Sequence, residues 1–273
     1  MLSILSLGAG VQSTTVLLMS CVGELPKLDC AIFADTGWEP AAVYEHLTWL
    51  TEYSEKCGIP VHKVGHRNIR NEAVTQQARG HRLPGEECHA SMPLFVLSPE
   101  GDKGMVNRQC TGDYKIEPIE RFIKRELLGV KPRGRAPVGA VEHWFGISMD
   151  EWQRMRTSKD KWKTNRYPLI DMKVTRAGCL SWLEQNGFTK PPRSCCIGCP
   201  FHSDAEWRDM KENRPAEFED ACQVDDAIRK SGGMRGDMFL HAKRIPLRLV
   251  DLRTDYDKGQ GDLFGCESGY CWT

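Results

Sequence analysis

The stretch MLSILSLGAGVQSTTVLLMSCV, residues 1–22, decides the fold. An apolar run from Met1 to Leu7 breaks at Gly8-Ala9-Gly10, and Ser13 to Val22 then reads as a helix. Strand, tight loop and helix in that order open an α/β sheet. The pattern returns: Asp29 to Ala34 is a second apolar run ending at Asp35-Thr36-Gly37. A helix from about Pro40 to Cys57 and a short strand from Pro60 to Val64 follow. Alternation of this kind implies a parallel twisted sheet flanked by helices, and in such sheets ligands bind beyond the carboxyl ends of the strands, where both loops fall.

Further along, the rhythm weakens. Residues 65–112 carry helix signals only near Asn68 to Arg79, before a Pro-, Gly- and Cys-containing stretch that reads as an irregular excursion or lid. Asp113 to Leu128 reads as a helix with Asp113 as N-cap, although Pro118 offers a later start. Val141 to Ile147 is another strand. Beyond Ser148 the chain turns helical and loop-rich, with helix signals at Thr175 to Asn186, Ser203 to Asn213 and Pro215 to Lys230. The expected division is an α/β domain over 1–150 and a helical, cysteine-bearing extension with a C-terminal tail over 151–273.

The chain has 273 residues, 40% of them hydrophobic, enough for a sizeable core, so disorder is excluded as its dominant state. Lys and Arg number 37 and Asp and Glu 37, which removes any global electrostatic case for a nucleic-acid or membrane partner. Residues 1–23 are uncharged, and Leu18-Met19-Ser20-Cys21 has some likeness to a lipoprotein cleavage site. No basic residue precedes the run, however, and Gly8, Gly10, Gln12, Ser13 and Thr14 interrupt it. No run is long enough to span a bilayer. With 12 Cys and no secretion signal, the expected location is the reducing cytoplasm, where clustered thiols bind metal or do redox chemistry.

The loop from Ser6 to Thr14 joins glycines, which let a backbone approach a ligand, to hydroxyls and a helix N-terminus, a combination that suits phosphate. It lacks the Walker lysine and the full dinucleotide fingerprint, and a plain tight turn is the alternative reading. The second loop, Phe33-Ala34-Asp35-Thr36-Gly37-Trp38-Glu39-Pro40, is followed by a helix containing Tyr44. Together SLGAGVQS and FADTGWEP resemble the adenine nucleotide alpha-hydrolase (PP-loop) superfamily, and within it the phosphoadenosine phosphosulfate (PAPS) reductase branch. The resemblance implies a phosphate loop of Ser6, Gly8, Gly10, Gln12, Ser13 and Thr14. It also places Asp35, Thr36 and Gly37 beside the adenosine.

The densest thiol cluster is Ser194-Cys195-Cys196-Ile197-Gly198-Cys199-Pro200, whose Cys-x-x-Cys spacing serves a metal centre or a redox pair; two buried structural thiols are the plainer reading. Upstream, Cys110 precedes Lys115, Glu117 and Pro118, a segment similar to the cysteine and basic-x-Glu-Pro stretch of sulfonucleotide reductases. Iron–sulfur members hold a 4Fe-4S cluster with a cysteine pair here and the downstream Cys-x-x-Cys. Gln109 stands where one of that pair is expected, leaving Cys110, Cys196 and Cys199, with Cys195 or a C-terminal cysteine as a fourth ligand or one iron left open. Four thiolates also suit Zn2+. The reading requires these distant thiols to converge.

The tail from Phe264 to Thr273 carries Cys266 and Cys271, which the resemblance offers as catalytic nucleophiles, although the order Cys266-Glu267-Ser268-Gly269 departs from the family's Glu-Cys-Gly-x-His. A frayed end is the alternative. Cys21, Cys30, Cys57, Cys179 and Cys222 read as core residues, and Cys88 beside His89 as a further metal candidate. His143, His202 and His241 read as structural or solvent-facing. The family's sulfate-holding Gly-x-Arg corresponds to Gly146-Ile147-Ser148, where Ser148 replaces the permanently charged anchor; Arg154 and Arg156 follow and could substitute. Between Gln153 and Arg166, Arg154, Arg156, Lys159, Lys161, Lys163 and Arg166 face one acid, with Trp152 and Trp162 interleaved. That patch is a candidate RNA or DNA contact, or a solvated basic loop.

The resemblance extends to PAPS-reductase-like proteins of phages, mobile elements and CRISPR-adjacent operons. It implies an enzyme that binds ATP or a related adenine nucleotide with Mg2+. The expected chemistry is adenylation with pyrophosphate release and sulfur transfer at an Fe-S centre. A thioredoxin-dependent PAPS reductase and a non-catalytic nucleotide-binding accessory protein acting with nucleic acid are the alternatives.

Overall fold

The computed structural model describes residues 1–65, 67–75, 91–229 and 236–253. In chain order the strands and α-helices are β1 (Leu2–Leu7), α1 (Val11–Cys21), β2 (Cys30–Ala34), α2 (Ala41–Lys56), β3 (Val61–Val64), α3 (Ile69–Thr75), β4 (Phe95–Leu97) and β5 (Lys103–Met105). There follow α4 (Glu117–Phe122), β6 (Val141–Phe145), β7 (Lys163–Arg166), α5 (Pro168–Asp171), α6 (Arg176–Gln185), α7 (Asp204–Asn213), α8 (Pro215–Ala227) and β8 (Asp237–Phe239). Two compact units interleave along this order. One comprises Met1–Asp35, Glu39–His66 and Tyr114–Ser194; the other comprises Thr36–Trp38, Arg67–Asp113 and the chain from Cys195. The sequence reading instead draws one boundary near residue 150.

The first unit is built on a five-stranded parallel sheet in the order β3-β2-β1-β6-β7. The α/β expectation is met, with helices on both faces. Leu5, Leu7, Phe33 and Trp144 pack under Val16 and Leu17 of α1, Leu47 and Leu50 of α2, and Cys179 and Leu183 of α6. The opposite face sets Ile4, Ile32 and Val141 against Ile119, Ile123 and Trp162. Coverage on both sides explains why β2, CAIFA, is apolar throughout rather than alternating. Its five buried residues supply a contact surface in which each fully buried aliphatic side chain contributes about 1.5–3 kcal/mol.

The helix expected from Asp113 or Pro118 is one turn of α-helix, α4, flanked by π-helical turns at Thr111–Ile116 and Ile123–Leu127. Pro118 is the second residue of α4, directly after the first π-helical turn. The second half of the basic stretch is not loop. Lys163–Arg166 is edge strand β7, paired with β6, and Trp162 is buried in the core, so of the two interleaved tryptophans only Trp152 is exposed. An edge strand that carries charge instead of an apolar pattern avoids pairing with other chains, and for the same reason escapes recognition in a sequence.

The second unit holds a three-stranded antiparallel sheet, β5-β4-β8, and helices α3, α7 and α8. Ser203 and Glu206 form a reciprocal capping box at the start of α7, and Trp207 and Met210 are its buried residues. Asp225 of α8 is fully buried, pairs with Arg229, and accepts backbone hydrogen bonds from Leu240 at 2.7 Å and Leu247 at 3.0 Å. It thereby ties the strand and turn after α8 back to the helix. No helix among the described residues is long and apolar enough to cross a membrane.

Candidate functional site

In the first unit the sheet reverses direction at β1: the chain moves outward through β2 and β3, then returns to lay β6 on the other side. Such a switch point separates the loops that leave adjacent strand ends and opens a crevice for ligand. The loop here is Gly8-Ala9-Gly10, running into α1 with Gly10 as N-cap and no side chain capping the helix. Ala9 is buried with φ +55°, a left-handed conformation that costs a non-glycine residue about 1 kcal/mol or more. A Cβ added at Gly8 or Gly10 would meet nothing closer than 3.7 Å within the protein, so neither glycine is demanded by internal packing. Gly146, after β6, is different: its Cβ would lie 2.6 Å from Ser13 N and 2.7 Å from Ser13 Cα.

The expected loop residues divide by role. Ser13 Oγ accepts from Gly8 N at 3.2 Å and donates to Gly10 O at 3.3 Å, fixing the turn. Thr14 is fully buried, with Oγ1 3.1 Å from His46 Nε2 on α2. Burial lowers the His46 pKa, keeping that imidazole neutral. Ser6 remains within β1, paired across to Ile32 and Phe145. Gln12 reaches sideways: its Nε2 donates to Ser148 Oγ at 3.4 Å and to Glu151 at 3.3 Å, and its Oε1 accepts from Arg176 Nη1 at 3.0 Å.

Ser148 is fully buried, and Arg154 pairs with Glu151 at 2.8 Å. The guanidinium bonded to the loop is therefore that of Arg176, which the sequence reading missed. The only local signal was Thr175, the N-cap of α6, which accepts from Gly178 N. Asp35, at the end of β2, accepts from Tyr44 at 2.8 Å and pairs with Lys63 at 3.1 Å. Burial, followed by the hydrogen bond to Asp35, pushes the Tyr44 hydroxyl well above the ordinary phenol range. Lys115 lies 3.5 Å from Glu39, whose side chain is wholly buried.

In the second unit, Thr36-Gly37-Trp38 is a clasp. Ile69 N donates to Thr36 O at 2.9 Å, and Asn68 Nδ2 donates to Gly37 O at 3.0 Å. Trp38 Nε1 donates to Asp220 at 2.7 Å, a carboxylate also held by Arg70. The Cys-x-x-Cys turn docks here. Ile197 N donates to Trp38 O at 2.9 Å, Cys196 Sγ lies 3.3 Å from Thr36 Oγ1, and Cys199 N donates to Cys196 O at 3.1 Å. His202 Nε2 faces the carbonyls of Cys196 and Ile197 at 3.0 and 3.2 Å, and Gly198 lies against the Trp38 ring so closely that a Cβ would enter it.

Cys110 N donates to Ser91 O at 2.8 Å, and Ser91 Oγ donates to Asp113 at 2.6 Å. Among the described residues no group of three or more His, Cys, Asp or Glu is gathered tightly enough to hold a metal ion. Cys266, Cys271, Cys88 and His89 lie outside the described residues. Of the expected core thiols, Cys30, Cys179 and Cys222 are buried. Burial raises their pKa values to about 12, 11 and 11, which leaves them poor nucleophiles at neutral pH.

No family model matches the chain, and no curated protein matches it. Among solved structures it is similar to the crystal structure of phosphoadenylyl-sulfate (PAPS) reductase from Candida auris in a phosphate complex. The identity is 14% and the TM-score 0.42, over 69% of this chain and 74% of that one. The fold assignment rests on this chain's own strands, register and helices.

Proposed function

We propose that the chain is a PAPS-reductase-like PP-loop protein that binds the phosphates of ATP or a related adenine nucleotide at the β1–α1 loop and couples that nucleotide to sulfur chemistry. One observation carries the nucleotide half: Gly8 and Gly10, at an uncapped helix N-terminus on the switch point of the sheet, have no internal reason to be glycine. Side chains there would instead occupy the space in front of the α1 amides, which suits an anion that approaches the backbone. Arg176, bonded to Gln12, supplies the fixed positive charge that Ser148 does not. Mg2+ would accompany the phosphates.

In the ATP-using reaction, the α1 amides and Arg176 hold the terminal phosphates while an acceptor oxygen attacks the alpha phosphorus. That forms an adenylate and releases pyrophosphate. A sulfur nucleophile then displaces AMP. The resemblance offers the tail thiols Cys266 and Cys271 as that nucleophile and the turn from Cys196 to Cys199 as metal ligands. A 4Fe-4S cluster or Zn2+ would be held by Cys110, Cys196 and Cys199, with Cys195 or a tail cysteine as a fourth ligand.

Anaerobically purified protein incubated with labelled ATP, and separately with labelled PAPS plus thioredoxin, tests this reading. Pyrophosphate released from ATP supports it. Sulfite released from PAPS replaces it with the thioredoxin-dependent reductase reading. Nucleotide binding without either product leaves a nucleotide-binding accessory protein, and no binding of either nucleotide overturns the reading.

A further inference from the structure

The strongest feature outside the loop lies in the first unit, on the open side of the sheet. A cleft of about 440 Å³ is walled by Arg156, Thr157 and Ser158 on one side and by β7, from Lys163 to Arg166, on the other; no residue of the β1–α1 loop lines it. We propose that this cleft binds a phosphate ester of nucleotide size, carried either on a free nucleotide or on a nucleic-acid strand. The volume is in the range of small-molecule sites, roughly 300–1,000 Å³.

The free edge of β7 offers unpaired backbone groups of both kinds, donors and acceptors, to a ligand. Val141 N bonds Trp162 O, so residues 162, 164 and 166 direct their backbone groups at β6, and the backbone N–H groups of Lys163 and Asn165 point away from the sheet. Since β7 is the last strand, no further strand takes those donors. Three cations line the cleft against one carboxylate, Asp171.

The state of each cation decides which can serve a ligand. Lys163 is committed to Glu120, and Arg166 bonds Glu142 at 3.1 Å. Arg156 is not balanced in this way: its Nη1 donates only to the carbonyls of Gln153 and Met155, at 2.7 and 2.8 Å. Lys159 and Lys161, on the same loop, form no ion pair among the described residues. Arg156, Lys159 and Lys161 outnumber Asp160, the one acid of this loop, and leave a local positive excess on a chain whose formal net charge is zero.

The cleft is also built in advance. Arg156 N donates to the Tyr167 hydroxyl at 2.9 Å, that hydroxyl donates back to Arg156 O at 2.7 Å, and Asn165 Nδ2 donates to the same carbonyl at 2.8 Å. These three bonds pin the loop to the end of β7, so a ligand need not order it.

The test measures affinity at low salt for four probes: a labelled single-stranded DNA, a labelled single-stranded RNA, AMP and inorganic phosphate. The proteins are the parent, Arg156→Glu, Thr157→Asp and, as a control for net charge elsewhere on the surface, Lys190→Glu. Arg156 and Thr157 are exposed, so both variants should melt like the parent; if one does not, the other decides. The expected result is about ten-fold or greater weakening in Arg156→Glu and Thr157→Asp. Lys190→Glu should bind like the parent. For a strand, the slope of log affinity against log salt should also fall by about 1 in Arg156→Glu. Weakening confined to the oligonucleotides identifies a strand as the source of the phosphate, and weakening confined to AMP and phosphate identifies a free ester. No binding by the parent, parent-like affinity of both variants for every probe, or an equal loss in Lys190→Glu overturns the proposal.

Discussion

Glycine is used for opposite reasons in two regions, the β1–α1 loop and the Cys-x-x-Cys turn. In the β1–α1 loop, Gly8 and Gly10 have at least 3.7 Å of room behind them, so what they keep clear lies outside the protein. In the Cys-x-x-Cys turn, Gly198 has no room at all, because the Trp38 ring fills the place of its missing side chain. The first arrangement leaves a surface for a ligand. The second makes a close-packed joint, with Trp38 buried and its indole N–H bonded to Asp220. The comparison therefore separates recognition from structure: substitutions in the loop should cost binding, and those in the turn should cost stability.

The largest effect is expected where the joint is overfilled. Gly198→Ala forces a methyl into the Trp38 ring and should lower stability by about 3 kcal/mol, at the upper end of overpacking costs because the obstacle is a rigid, hydrogen-bonded ring. Chemical denaturation measures it. A change below about 0.5 kcal/mol, the range of an innocuous surface substitution, would show that the turn is loose and erase the contrast.

Next comes the loop. Gly10→Val should bind nucleotide phosphate about ten-fold or more weakly while losing no more stability than the roughly 1 kcal/mol expected of a poor N-cap. Its backbone has an ordinary φ of −95°, and its Cβ meets only Ser194, at 3.7 Å. Titration calorimetry with ATP alongside denaturation separates the two quantities. If stability falls and binding does not, the loop is a structural turn and the nucleotide reading fails with it.

What was legible in the sequence follows the same physical divide. β1 and β2 lie inside the sheet, which writes them as largely apolar runs, and the loops after them carry the glycines that mark the switch point, whereas β3, VHKV, is an edge strand with no buried residue and is legible only from its place after α2. β7, with the sequence KTNR, has no apolar pattern because it is an edge. β4, β5 and β8 are three residues each, too short to show a period. The residues of the β1–α1 loop were readable because they are contiguous, but the commitment of Thr14 to His46 and the bond from Arg176 to Gln12 span 32 and 164 positions and leave no local trace. The cysteine spacing was equally visible, yet spacing fixes only the turn from Cys196 to Cys199 and says nothing about Cys110, whose N–H bonds Ser91.

The smallest effect sharpens the contrast through two buried histidines. His241, in the second unit, has its Nε2 2.9 Å from Asp204, and burial lowers its pKa while that carboxylate opposes the shift. His143, on β6 in the first unit, is 4% exposed, packs against Phe145, and has no hydrogen-bond partner for either ring nitrogen. Burial, and then the charge of Lys163, hold its pKa at about 3 against the ordinary 6.5. Below pH 6.5 the unfolded chain therefore takes up a proton that the folded imidazole refuses. The folded state loses stability as pH falls from 6.5 toward 3, by about 1 kcal/mol over the first unit of that range. His143→Leu removes this proton uptake and should flatten the acid limb of a stability-against-pH curve more than His241→Gln does, while adding stability at neutral pH because two orphaned nitrogens disappear. An unchanged acid limb in His143→Leu would mean that water or a neighbouring group already satisfies the ring, and the interior of the sheet would then be less dry than its packing implies.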